Sequence, residues 1–336
     1  MSILINNPGL FTTIQDEGRF GYQDQGFSTA GVLDLFSFKL GQKLIGNNGP
    51  ALEFTIIGPS ITFKKANTFV ITGGEFDSKL NGQPIHMKCV YHAQAGDELK
   101  LGKAIEGARG YILFGSQIDI PMIANSYSTH TRSGIGGFKG RALKSGDNLP
   151  TTSLTPHDKY IGLSTNESVV DHTREVIHIV EGPQYESFSS ESIDKITKSG
   201  YEISEQSDRM GYRLKGDLIP PSSSADITSE PVALGSIQVP NDGNPIILLN
   251  DKQTVGGYTK IATVTQADLP ILAQKKPGDV IYFKWISIEE AISNLSVAEE
   301  SFNKIIEDVE RKPVYDINQL RSTSKRVNAL LKGEAK

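Results

Sequence analysis

Four glycine-bearing stretches gather side chains able to grip a small polar molecule. TIQDEGRFGYQDQG presents Gln15, Asp16, Arg19, Tyr22 and Gln23; NSYSTHTRSGIGGFKGR presents Asn125, Ser126, Ser128, Thr129, Arg132 and Arg141. SDRMGYRLKG brings Asp208, Arg209, Tyr212 and Arg213, and GSIQVPNDGNPIILLNDKQTVGGY brings Gln238, Asp251, Gln253, Thr254 and Tyr258. Arginine grips carboxylates bidentately, glutamine and asparagine match amide donors and acceptors, and glycine lets the backbone approach a ligand. Such a set suits an amide, a urea or a carboxylate, with an aspartate or tyrosine as general base. No spacing tells which group that would be, and Asp16 and Arg19, three apart, could equally pair with each other.

Other chemistries lack their motifs. There is no P-loop, and SGIGGFKG (133–140) lacks the Rossmann spacing and its following acid, so it reads first as a glycine-rich turn, with anion contact by its amides as the alternative. The six histidines form no H-x-x-x-H, and His172 and His178 on one strand face would stand about 20 Å apart, so no metal is expected. His86 and His92 flank Cys89 at three residues, where alternation turns them to the opposite face and leaves a half-buried structural thiol. One cysteine excludes an intrachain disulfide framework, and a net charge of -5 favours neither nucleic acid nor a membrane surface. The start, MSILINNPGL, lacks a signal-peptide pattern and no apolar run reaches about 18 residues, so a cytoplasmic location is expected.

The elements that must hold these groups read as strands. Runs such as LEFTIIG, TFVITGG, YILFG, EVIHIVEG and VIYFKW lie between turns rich in the chain's 33 glycines and 16 prolines. Gly-Asp recurs before strand-like runs at Gly96, Gly146 and Gly278. Helical spacing is confined to 31–45, 190–198 and a segment opened by Ser287 and Glu290 as a capping box. Ile288, Ala291, Ile292, Leu295, Phe302 and Ile305 supply that last face, Pro313 its stop, and the tail after Arg321 is expected to be mobile. LEFTIIGPSITF (52–63) resembles IHIVEGPQYESF (177–188), which favours two related β-domains joined within 150–171. Ile246 to Leu249 reads as one core strand between two ligand-facing turns.

The ordered series NPGLFTTIQDEGRFGYQDQGFSTAGVLD, LIGN, LEFTIIGP, NSYST, GGFKGR, SDRMGYRLKG, GSIQVPNDGNPIILLNDKQTVGGY and PGD resembles the biotin-dependent carboxyltransferase subunit family, also called allophanate hydrolase subunit 2, from about Pro8 to Trp285. The resemblance implies a mainly β fold with a few helices and two cyclophilin-like β-barrel domains: 1–160, 161–286, then a C-terminal helix and tail, 287–336. It implies the C-type component of an ATP-dependent 5-oxoprolinase, acting with a subunit-1 protein, the B-type component, and with a LamB/YcsF-type protein, the A-type component. Two alternatives come with the family: biotin-dependent carboxyl transfer to a urea or amide nitrogen, and a non-catalytic antagonist of a subunit-1-type kinase inhibitor. ATP would be used through another polypeptide of the complex. Any biotin would arrive on a separate carrier, because Met87-Lys88 is followed by Cys89 and not by methionine. Residues matching the family motifs are Asp251, Arg209 and Tyr258 as the catalytic set, Asp251 being the candidate base. Asp16, Arg19, Asp34, Ser128, Tyr212, Gln238, Gln253 and Thr254 match as substrate-binding residues, and Arg209 and Arg19 as carboxylate or carbonyl-oxygen binders. The chain departs from the family at Asn125 to Thr129, NSYST in place of Gly-Ser-Arg-Ser-Thr.

Overall fold

Alternating apolar side chains draw the first 150 residues into one nine-stranded sheet that curls around its own core. The structure, a computed structural model, describes residues 2–153, 160–168, 170–311, 324, 327–329, 331 and 332. The strands are β1 (Ser2–Asn7), β2 (Phe11–Gln15), β3 (Ala51–Thr55), β4 (Ser60–Phe63), β5 (Asn67–Leu80), β6 (Gln83–Pro84), β7 (Tyr91–Ala93), β8 (Glu98–Phe114) and β9 (Asn148–Pro150). Their order is β2-β3-β8-β4-β1-β9, with β5 on β8 and carrying β6 and β7. The 17-residue β8 pairs with β4 early and β3 late, so the sheet rolls over Phe54, Phe63, Phe69 and Phe114. The β5–β8 ladder slips at Gly73, whose φ of 103° lets it close onto the Arg109 carbonyl; a Cβ there would collide with that backbone. This bulge fixes where Arg109 leaves the strand.

The second half holds β10 (Val176–Glu181), β11 (Tyr201–Ile203), β12 (Gly211–Lys215), β13 (Asp226–Pro231), β14 (Ser236–Gln238), β15 (Ile246–Leu248), β16 (Val255–Tyr258), β17 (Lys260–Val264) and β18 (Val280–Trp285). Seven of them close a barrel, β10-β17-β14-β15-β12-β11-β18, sealed by parallel pairing of β10 with β18. β13 and β16 form a separate two-stranded arm. The chain is thus mainly β with two barrel-like domains. The stretch 235–258 contains three strands, not one, because its polar segments pair as well as turn. Nor are 52–63 and 177–188 equivalent: after Gly58-Pro59 the chain enters β4, whereas after Gly182-Pro183 it makes a 3₁₀ turn, Tyr185–Ser187.

Local signals explain the remaining elements. At Gly96, Gly146 and Gly278, φ is 93°, 87° and 88°, and the following Asp97, Asp147 and Asp279 accept the backbone N–H three residues back at 2.7, 2.8 and 2.9 Å. Helix α1 (Leu35–Ile45) starts four residues later than the apolar spacing predicts, because Asp34 is its N-cap, accepting from Ser37 N at 3.0 Å. Helix α2 (Ser190–Lys198) has the predicted span, and α3 (Leu269–Ala273) is a short addition. Helix α4 (Ile288–Arg311) opens on the predicted cap, with Ser287 Oγ accepting from Glu290 N. Its buried residues are Phe302, Ile306 and Val309, however, and the expected face at Ile288 and Ile292 is 64% and 62% exposed. Pro313 and most of the tail lie outside the described residues. Lys88, with φ 54°, breaks the strand expected through Cys89, so the thiol and its two histidines do not share one strand. Among the described residues, no helix is long and apolar enough to cross a membrane.

Candidate functional site

A cavity of about 580 Å³ opens between the two domains. Leu10, Thr55, Arg109 and Arg132 line it from the first, and Asp208, Arg209, Tyr212, Asp251 and Lys276 from the second. That volume suits a small-molecule ligand.

Arg209 forms its inner wall. Nε and Nη2 donate to the two Asp251 oxygens at 3.1 and 2.9 Å, Nη2 also donates to the Gly31 carbonyl at 2.6 Å, and Nη1 donates to Glu53 Oε1 across the domain boundary. Burial works against the guanidinium's charge, but Asp251 and Glu53 outweigh it and raise its pKa. The other Glu53 oxygen accepts Leu33 N and the Tyr111 hydroxyl at 2.9 and 3.0 Å. Arg209 is therefore engaged by two carboxylates and a carbonyl, and it fastens the domains as well as lining the cavity.

Tyr212 stands beside it, 3% exposed. Its hydroxyl accepts from Arg109 Nη1 at 2.6 Å and donates to Lys275 O at 3.0 Å, and burial raises its pKa, so the phenol stays protonated. Gln274 closes the same seam: Oε1 accepts Ala108 N and Arg109 N, both at 3.0 Å, and Nε2 donates to Asp34 Oδ2 at 2.8 Å. Asp34, fully buried and with its pKa pushed up by that burial, serves the α1 cap and this clamp, and it does not line the cavity.

Asp16, Arg19 and Ser128 meet in a loop cluster. The Asp16 carboxylate accepts from Gly18 N at 3.0 Å, Ser126 Oγ at 2.6 Å, Tyr127 N at 2.7 Å and Ser128 Oγ. Arg19, 1% exposed, donates from Nε to Ile123 O at 3.0 Å and from Nη2 to Ser128 O. Gly136, at φ 68°, allows the 133–140 loop to press against Ser128 and Arg19, where any Cβ would collide. The departure at 125–129 fits this role. Asn125 takes φ 56°, a conformation that asparagine tolerates better than most residues, and the Tyr127 ring packs on the core.

Gln253, Thr254 and Tyr258 lie elsewhere, at the β13–β16 arm, and Gln238, the last residue of β14 in the barrel, faces that arm. Gly256 packs on the Gln238 amide, Thr254 O accepts from Val232 N at 3.0 Å, and Gln253 and Tyr258 are exposed. Lys260 holds the arm through Glu230 at 2.9 Å. The matched residues thus occupy three places. Arg209, Asp251 and Tyr212 share the cavity, while Tyr258 does not join them.

The family model described as carboxyltransferase domain, subdomain A and B, matches residues 25–285. The chain belongs to that family. Among relatives of this carboxyltransferase-domain protein, the 5-oxoprolinase C subunit of Escherichia coli (strain K12) is 36% identical over 292 residues, covering 84% of this chain and 91% of the relative. The urea amidolyase of Saccharomyces cerevisiae is 33% identical over 315 residues, 87% of this chain but 17% of that one. The crystal structure of Kluyveromyces lactis urea carboxylase aligns with a TM-score of 0.80 at 27% identity, over 90% of this chain and 29% of that one.

Three residues of this carboxyltransferase-domain protein escaped sequence reasoning: Glu53, Arg109 and Gln274. Glu53 carried a signal, a carboxylate between apolar residues of the strand-like LEFTIIG run, and Arg109 a weaker one, a cation just ahead of the apolar YILF run. Gln274 carried none, because its three partners lie more than 160 residues away.

Proposed function

We propose that this chain is the substrate-handling component of an ATP-dependent 5-oxoprolinase complex. It opens 5-oxoproline to L-glutamate with a subunit-1 partner, the B-type component, and a LamB/YcsF-type protein, the A-type component, in the cytoplasm. The observation carrying this reading is the 36% identity to a 5-oxoprolinase C subunit over 91% of that relative's length. The interdomain cavity supports it with a small-molecule volume, lining cations and three carboxylates, Glu205, Asp208 and Asp251. In ring opening the lactam C–N bond breaks, the oxygen of water ends in the new carboxylate, and the nitrogen takes up a proton. Each Asp251 oxygen accepts one Arg209 hydrogen bond and keeps further acceptor capacity, so this carboxylate can orient a water. ATP is used through another polypeptide, and this chain itself binds no cofactor in this reading. Combining the purified chain with both partner proteins, 5-oxoproline and ATP should release glutamate. No glutamate from folded, assembled components rejects the reading.

The similarity to Kluyveromyces lactis urea carboxylase favours a second reading, carboxyl transfer from biotin on a separate carrier to a urea or amide nitrogen. Its mark is turnover that requires a biotinylated carrier and bicarbonate; turnover without them selects the hydrolase.

A further inference from the structure

Arg109 lines the interdomain cavity, is 5% exposed and leaves β8 where the Gly73 bulge fixes the backbone. Its Nη1 is occupied by the Tyr212 hydroxyl and the Ala273 carbonyl, and both of those acceptors are neutral. Its Nε is buried with no hydrogen-bond partner. Among the described residues no carboxylate lies within ion-pair distance of it, whereas Arg209, on the same cavity wall, holds two. An arginine does not escape such a position by losing its proton, and a buried cation without a counter-charge is costly. Glu53 and Asp251, the buried carboxylates nearby, are committed to Arg209. The Arg109 guanidinium also stands 5.6 Å from the Tyr212 ring centre, a contact that orients its plane. The exposed rim carries Arg132 and Lys276 together with Glu205 and Asp208, so its charges offset one another and the attraction for an anion comes from Arg109 inside.

We propose that Arg109 is the carboxylate anchor of this cavity, supplying from its guanidinium, whose Nη2 donates to none of the described residues, the charge-assisted hydrogen bond that receives a small organic anion. Naming that anion as the carboxylate of 5-oxoproline rests on the hydrolase reading; the anion class itself does not. Arg209 and Arg19, the arginines that sequence motifs single out, do not fill the role. Arg209 is already neutralised, and Arg19, although its Nη1 also lacks a partner, lies beneath the 133–140 loop and does not line the cavity.

Calorimetric titration of the full chain with 5-oxoproline and with its neutral amide, 5-oxoprolinamide, tests this. The wild type should bind the carboxylate at least about tenfold more tightly than the amide, the scale of one charge-assisted bond. Arg109→Gln, with folding checked by its melting temperature, should abolish that preference. If the glutamine variant does not fold, Arg109→Lys, which keeps the charge but not the guanidinium's planar set of donors, should bind 5-oxoproline several-fold more weakly while still preferring it to the amide. Equal binding of the two probes to the wild type, no binding of either, a folded Arg109→Gln that keeps the preference, or a lysine variant that binds like the wild type overturns the proposal. A carboxylate preference lost in Arg109→Gln, without any glutamate release by the assembled complex, keeps the anion site and rejects the hydrolase reading.

Discussion

Arg209 shows how one side chain can be read two ways. From sequence it is a ligand-gripping arginine, and in the structure its donors meet Asp251, Glu53 and the Gly31 carbonyl. Arg209→Ala leaves two buried carboxylates facing each other, a loss of about 3–5 kcal/mol of stability for a broken buried pair. Urea unfolding should show the midpoint falling accordingly; an unchanged midpoint contradicts the network. Asp16 poses the same question in a loop. Asp16→Ala strands Gly18 N, Tyr127 N and two serine hydroxyls, which predicts a loss of about 2–3 kcal/mol by the same measurement. Of the residues that motif chemistry singled out, the structure brings Arg209, Asp251 and Tyr212 together at one cavity. It could not foresee their occupancy, because Glu53 is 156 residues from Arg209 and no local pattern links them.

At the scale of elements, the legible features are those decided within a few residues. The three Gly-Asp turns and the Ser287 cap are closed by backbone neighbours three positions away, so their spacing carries them. The start of α1 was missed because a single capping carboxylate, Asp34, outweighs an apolar repeat that continues upstream of it. The N-terminal half of α4 differs from the expectation for another reason: its apolar face exists, but among the described residues no other element covers Ile288 or Ile292. The Gly146 turn also yields a pH test. Arg141 bonds both Asp147 oxygens, at 2.7 and 2.8 Å, and this pairing, ahead of other causes, lowers the Asp147 pKa below its ordinary 3.8. A depressed carboxylate stabilises the fold above the unfolded value, about 4, and loses that contribution as pH falls through the depressed one. Asp147→Asn should therefore be less stable than the wild type at pH 7, with the gap narrowing below about pH 4. A gap that stays constant down to pH 2 removes the ion pair from the account.

The whole molecule is two β-domains held by a polar seam of Arg209–Glu53, Arg109–Tyr212 and Gln274, the last bridging 240 residues to Asp34. Trp285, the chain's one tryptophan, sits on β18 of the closed barrel against Tyr185, so its fluorescence follows that domain alone. In the wild type, unfolding followed by tryptophan fluorescence and by far-UV circular dichroism should coincide. Gln274→Ala, which orphans two backbone N–H groups in the first domain, should separate the two curves; coincident curves in that variant show that the seam does not couple the domains. The β character was legible from strand and turn punctuation and the two barrels from the family resemblance, whereas the seam was not legible, since it is built from single contacts between distant stretches. The central claim is that the cavity at this seam handles the lactam. Thr131, exposed on its lining, can be replaced by tryptophan without burying new bulk in either core. With partner proteins, ATP and 5-oxoproline, Thr131→Trp should keep the wild-type melting temperature and lower kcat/KM for glutamate release by about tenfold or more, the scale of one lost binding contact; release at the wild-type rate by the obstructed variant would contradict the account.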